Sequence, residues 1–132
     1  MKLSRKADYA LRAVRHCSRL PKETVGTIDQ IAEAESIPRE FLAKILKDLT
    51  SAGILASHRG VYGGYSMAKK PNETTFLEVI EATDGPIHIN LCTTPDRCCN
   101  GQYRSCNMRR FWEIYEEKFK KALVKEHFGK YS

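Results

Sequence analysis

Four of the chain's five cysteines crowd into one stretch, Cys92-x5-Cys98-Cys99-x6-Cys106. Thiolates are soft donors that suit iron–sulfur clusters or zinc. Zinc knuckles pair their ligands as Cys-x2-Cys, and that spacing is absent here. Neighbouring Cys98 and Cys99 point in different directions, so one of the two ligates. Three thiolates from one segment is then the natural count, and a fourth ligand comes from elsewhere. A cytosolic chain does not normally keep disulfides, so the crowding points to metal or redox chemistry. The competing reading is four free thiols in a flexible loop, or a reversible disulfide. Cys17 stands apart, on the apolar stripe of a helix, where a small buried hydrophobe is expected.

Basic groups form a second constellation. Of 132 residues, 22 are Lys or Arg and 16 Asp or Glu, a net charge of +6. Residues 1–70 hold 13 basic against 7 acidic side chains, and residues 71–132 hold 9 against 9. The whole excess lies in the first half, as a polyanion-binding module requires. A surface charged for solubility would show the same sum. The histidines His16, His58, His88 and His127 have no metal-motif spacing and are expected to be solvated or packed. Nucleophile elbow, phosphate loop and paired acid–base motif are all missing, so the chain is not expected to be an enzyme or to take a small-molecule substrate.

The elements that position these groups follow from periodicity. Leu3 to Leu20 reads as a helix with Ala7, Ala10, Leu11, Val14 and Cys17 at helical spacing, ended by Pro21. Thr27-Ile28-Asp29-Gln30 is a capping box opening a short helix to about Ala34. Glu35-Ser36-Ile37 makes a turn, and Pro38 suits the first turn of the next helix. Phe41, Leu42, Ile45, Leu46 and Leu49 form its apolar stripe, and Gly53 caps its end. Two helices joined by a tight turn outline a helix-turn-helix. The runs Ile54–Ser57 and Tyr65–Ala68 then flank a Gly-rich tip, 58–64, as a β-hairpin wing.

This arrangement suits double-stranded DNA. The N-terminal side chains of a recognition helix reach base edges, here Ser36, Arg39, Glu40 and Lys44. Lys44 and Lys47 are placed for phosphates. Arg59, with Tyr62 on the same tip, can enter a narrow minor groove. The alternative is a helical corner used only as scaffold or for protein contact.

In the second half, Thr75-Phe76-Leu77-Glu78 is another capping box, opening a helix that ends near Asp84-Gly85-Pro86. Residues 86–106 show no periodicity, and a loop of that length needs a function or a ligand. Met108, Trp112, Tyr115, Phe119 and Ala122 then form an a/d seam of about two heptads, with Phe111 and Leu123 alongside. Such a seam needs a partner surface, either the chain's own core or a second copy. No apolar run approaches the ~18 residues of a spanning helix, and the start, Met1 to Lys6, has no apolar signal region behind it. A cytoplasmic chain away from membranes is expected.

Together these segments resemble the Rrf-type winged-helix regulators, the family that includes IscR, NsrR and RirA. The resemblance runs through Met1–Ser4 and Asp8–Ala13, then Ile37-Pro38, Phe41-Leu42, Ile45-Leu46, Leu49 and Ala52-Gly53. It continues through Arg59-Gly60, Gly63-Gly64-Tyr65, Phe76–Ala82, Asp84-Gly85 and Cys106…Trp112. It implies a homodimer that binds promoter DNA, with an iron–sulfur cluster controlling affinity. The last helix would be the dimer helix. IscR-like members with a two-iron cluster use a His three residues after the last Cys. Arg109 stands there and cannot ligate. NsrR-like members use three Cys and an Asp of the partner's first helix, matched here by Asp8. The resemblance therefore favours a four-iron cluster over a two-iron one. Some members also carry Glu in the recognition helix where this chain has Ala43, which implies a different operator preference.

The resulting expectation is a mainly α fold, a winged helix-turn-helix with a short β-hairpin wing and a long C-terminal dimerisation helix. Residues 1–70 would form the DNA-binding domain. Residues 71–132 would add a helix, the cysteine-rich cluster loop and the dimerisation helix in one integrated fold. The function is a transcription regulator, taken as a repressor, sensing iron, redox state or nitric oxide. Two alternatives stay open: a cluster-free regulator switched by thiol oxidation, and a small metal-binding redox protein.

Overall fold

The computed structural model describes residues 2–95 and 106–132. The expectations for Cys98 and Cys99 lie outside the described residues. Helix α1 spans Arg5–Ser18, two residues shorter at each end than the periodicity suggests. Ser4 defines its start, because its hydroxyl accepts from the Ala7 N–H at 3.0 Å. Helix α2, Ile28–Glu35, opens on the expected capping box between Thr27 and Gln30. Helix α3, Arg39–Ser51, begins one residue after Pro38, which holds the N-cap position rather than the first turn. It ends at Ala52, followed by Gly53 at φ +75°, a left-handed conformation natural to glycine.

Strands β1, Leu55–His58, and β2, Gly64–Met67, pair antiparallel, with Leu55 opposite Met67 and His58 opposite Gly64. The segment before α2 joins them, since Gly26 and Tyr65 exchange two backbone hydrogen bonds of 2.8 Å. Gly64 permits this approach. A Cβ there would lie 2.6 Å from the Gly26 carbonyl oxygen.

Helix α4, Phe76–Asp84, starts at the second capping box, Thr75 with Glu78. Helix α5, Asn107–Lys125, is the longest. Within the stretch expected to be structureless, Leu91–Thr93 forms one 3-10 turn.

The core lies where α1, α2, α3 and α4 meet. Ala10, Ala13, Val14, Ile31, Leu42, Ile45, Leu46, Leu49 and Val79 are fully buried there. Each Leu or Ile so buried contributes roughly 1.5–3 kcal/mol. The alanines of α1 let its neighbours pack close. Phe41 departs from the expected stripe and is 56% exposed. Leu42, Ile45, Leu46 and Leu49 share one face, and Phe41 is turned about 100° from Leu42, off that face.

The end of the chain folds back, a feature the periodicity does not announce. Phe128, in the short turn Phe128–Lys130, is buried against Phe76, with ring centroids 4.8 Å apart. Its N–H donates to the Thr74 carbonyl at 3.2 Å, and the Phe76 N–H donates to the Glu126 carbonyl at 2.9 Å. No helix among the described residues is long and apolar enough to cross a membrane.

Candidate functional site

The turn between α2 and α3 is set by Ser36, which sits in the left-handed region at φ 53° and closes α2. The Ile37 N–H then returns to the Ala32 carbonyl at 3.0 Å, and the Ile37 side chain is buried. Ser36 thus belongs to the turn as the C-cap of α2, three residues before the first residue of α3, rather than to the N-terminal end of that helix. From there α3 divides cleanly. Its inner face is the Leu/Ile stripe. Arg39, Glu40, Lys44 and Lys47 are all exposed. Arg39 Nε lies 2.7 Å from Asp29 Oδ1. Both side chains are mostly exposed, so the pair is worth little and Arg39 can exchange it for another acceptor. Lys6 Nζ meets Asp48 Oδ2 at 2.8 Å, which ties α1 to α3.

In the wing, Arg59 is exposed, and Val61 and Tyr62 are 96% and 92% exposed. Apolar groups held this far into water at the tip of a hairpin are suited to contact with another molecule.

The cysteines divide by environment. Cys17 is buried between α1 and the core, and burial pushes its thiol pKa up to about 12. A thiol so raised is inert as nucleophile or ligand at neutral pH, as its helical position suggests. Cys92 is buried within the Leu91–Thr93 turn, and Cys106 is half-buried at the N-cap of α5. Both are free thiols. Among the described residues, no three His, Cys, Asp or Glu side chains are gathered closely enough to hold a metal ion. The donor chemistry of Cys92 and Cys106 still fits an iron–sulfur group, since both are thiols held at the two ends of the same segment.

Asp8 is committed locally. Its carboxylate pairs with Arg12, whose Nε is 3.1 Å away. Arg12 also donates to the Glu35 carbonyl at 3.1 Å and stacks over Tyr9 at 5.1 Å.

Helix α5 carries the expected seam. Met108, Tyr115 and Phe119 are 68%, 47% and 41% exposed; Ala122 is exposed and Trp112 half-buried. Phe111, Trp112, Tyr115 and Phe119 line a cavity of about 810 Å3, with Ile80, Pro86, Ile87 and Ile89 opposite. The seam is therefore partly turned toward its own chain and largely uncovered. The sequence reading missed Glu116, the buried residue of this helix. Its Oε2 accepts from the Ile89 N–H at 3.2 Å, and its Oε1 lies 3.3 Å from His88 Nδ1 and 3.4 Å from Lys120 Nζ. No pattern in the sequence distinguishes this Glu from its neighbours Glu113 and Glu117.

Residues 3–129 match the profile of the Rrf2 family, described as iron-dependent transcriptional regulators. The chain belongs to the Rrf2 family. A Rhodobacter capsulatus rrf2-like HTH-type transcriptional regulator is 39% identical to this Rrf2 chain, over 92% of it and 84% of the relative. An HTH-type transcriptional regulator of Mycobacterium tuberculosis is 38% identical over 87 residues, 66% of this chain, and the match spans only 54% of that protein. Among solved structures, CymR of Bacillus subtilis, titled a global cysteine regulator, superposes with a TM-score of 0.81. That comparison covers 98% of this chain and 94% of CymR at 23% identity, and it establishes the winged-helix fold. The family is one of transcriptional regulators, not enzymes.

Proposed function

We propose that this Rrf2 protein is a dimeric regulator that binds promoter DNA through α3 and the wing, with Cys92 and Cys106 as the described part of its sensor. The observation that carries this reading is the division of α3. One face, Leu42, Ile45, Leu46 and Leu49, is fully buried, and Arg39, Lys44 and Lys47 are exposed, Arg39 in a surface pair with Asp29 that DNA can displace. In this reading Lys44 and Lys47 take phosphates and Arg39 forks onto a base. Ser36 and Glu40 border the contact. Arg59 and Tyr62 extend it from the wing. The seam Met108, Trp112, Tyr115, Phe119 and Ala122 closes against a second copy, which spaces two recognition helices for successive major grooves.

Cys92 and Cys106, with Cys98 or Cys99, would hold an iron–sulfur group, and Asp8 of a second copy would complete it once released from Arg12. A four-iron group suits this set, since Arg109 stands where the two-iron members place their one His ligand. The group would supply a centre that iron supply, oxygen or nitric oxide can alter. The chain's own residues then do the switching: a change in the 92–106 segment shifts α5, and α5 sets the distance between recognition helices. Repression follows if the bound dimer blocks a promoter. Thiol oxidation of Cys92 and Cys106 is the second reading, favoured by the two free thiols and by Arg109.

Anaerobic purification tests both. Iron and sulfide in the wild-type protein, lost in Cys92→Ser and Cys106→Ser, support the cluster. Full iron and sulfide in either variant overturns the ligand assignment. A protein with no iron whose promoter affinity changes on thiol oxidation favours the second reading.

A further inference from the structure

We propose that Glu116 is a positioning residue: it fastens the strap 88–93, and with it Cys92, to α5, so that the cysteine segment reports to the dimer helix. This inference rests on the sensor reading above. Helix α5 inverts the usual order, leaving Met108, Phe111, Tyr115 and Phe119 between 41% and 68% exposed while burying a carboxylate to 8% exposure. Burying a charge is costly unless partners satisfy it. Here the partners come mainly from the strap. The Ile89 N–H and His88 Nδ1 face the carboxylate at 3.2 and 3.3 Å, and the Thr93 hydroxyl lies beside it. Only Lys120 comes from α5 itself. Burial pushes the Glu116 pKa up, but the hydrogen bonds from Thr93, Ile89 and Lys120 outweigh it, so the group stays charged at neutral pH.

These partners straddle the turn Leu91–Thr93, where Cys92 is 7% exposed. Cys106 forms the N-cap of the same helix. Both ends of the 92–106 segment are thus tied to α5, one by covalent continuity and one through a strap whose side-chain hydrogen bonds to α5 converge on the Glu116 carboxylate. Removing that carboxylate should free Cys92 without disturbing Cys106 or the core.

The test is the rate of alkylation of each cysteine by N-ethylmaleimide in reduced, chelator-stripped full-length protein, read by peptide mass spectrometry. Loss of hydrogen bonds to a charged group should open the strap about tenfold or more often, so Glu116→Ala should speed Cys92 by that factor. Glu116→Gln keeps an acceptor for Ile89 and should give a smaller rise. Lys120→Met removes the one partner on α5 itself and should raise the Cys92 rate less than Glu116→Ala does, and Cys17 should be unchanged in all three. Should Cys17 accelerate with the Glu116 variants, His88→Asn, which loosens the strap from its own side, decides. Wild-type Cys92 rates in both Glu116→Gln and His88→Asn overturn the proposal.

A second measurement separates this inference from the reading beneath it. Affinity for a DNA fragment selected from a random pool is measured for anaerobically purified protein before and after chelation. Glu116→Gln should shrink the wild-type difference toward one while leaving the stripped-state affinity unchanged. A wild-type protein that shows no difference overturns the sensor reading alone, and a Glu116→Gln protein with the full wild-type difference overturns the coupling.

Discussion

Helices α3 and α5 solve opposite problems with similar residues. In α3, Leu42, Ile45, Leu46 and Leu49 are fully buried and the charged groups face out. The residues that hold the fold and the residues proposed to meet DNA occupy opposite sides, so contact with DNA would not require the helix to repack. In α5 the bulky groups Met108, Phe111, Ile114, Tyr115, Phe119 and Val124 are all at least 41% exposed, and Glu116 is what the helix buries. Its apolar face lacks the cover that α3 has within one chain. The difference teaches where each helix finds its cover: α3 within the chain, whereas in the proposed reading α5 finds it against a second copy.

The largest effect expected from this contrast is on stability. Leu46→Ala should cost about 2–5 kcal/mol, because the packed site around it cannot collapse fully. Phe41→Ala, one turn away but exposed, should cost under about 1 kcal/mol. Urea unfolding of the two variants measures both, and equal losses would erase the division of α3 into two faces. For α5 the loss should appear in assembly. Phe119→Asp places an unpaired charge in the seam and should weaken dimerisation by on the order of 3 kcal/mol or more, over a hundredfold. Light scattering should find a monomer. A variant that keeps the wild-type dimer would move the interface elsewhere, and one that unfolds would make α5 a core helix after all.

Those two helices also mark how far the sequence could be read. The Thr27/Gln30 and Thr75/Glu78 capping boxes announce α2 and α4 because their bonds are local. The Leu/Ile spacing announces α3 for the same reason. Phe41 was misplaced because a stripe of neighbours does not say where its edge lies. Phe128 escaped because one buried aromatic after a helix has no period. Its partners, Thr74 and Phe76, are some fifty residues away in sequence. Glu116 escaped because an acid on a charged helix face looks solvated until the strap that covers it is seen. The parts of the candidate site legible in advance were therefore the elements built from local order, the exposed face of α3 and the hairpin. What tertiary contact decides, such as the environment of Asp8 or of Cys92, was not.

DNA binding should respond next in size, and only in the first half. Arg39→Ala should cost about 1–3 kcal/mol and relax preference at one base pair. Arg59→Ala should weaken binding through loss of a minor-groove cation. Neither should change dimerisation or the urea midpoint, because Arg39 spends only an exposed pair with Asp29 and Arg59 is exposed. Fluorescence titration at fixed salt checks both, and wild-type affinity in the two variants would sink the docking described for α3 and the wing.

The smallest effect is expected at Glu78, where the two halves join. This residue caps α4, accepts the Thr75 N–H at 2.9 Å and pairs with Lys69 next to the wing. Thr75 also bridges to His127 beyond α5. Partial burial pushes the Glu78 pKa up, but Lys69 and Thr75 outweigh it, and the net shift is downward. A depressed folded-state pKa means a stabilising contribution that is present above the unfolded value, about 4.3. That contribution is lost as pH falls through the folded value. Glu78→Gln should therefore be less stable than wild type at pH 7, by roughly 0.5 kcal/mol because the ion pair is more than a third exposed. At strongly acidic pH, with the carboxyl protonated in both states, the two proteins should converge. Urea midpoints across that range decide it. A gap that persists in acid would show that Glu78 acts through cap geometry alone, and that charge plays no part in joining α4 to the wing.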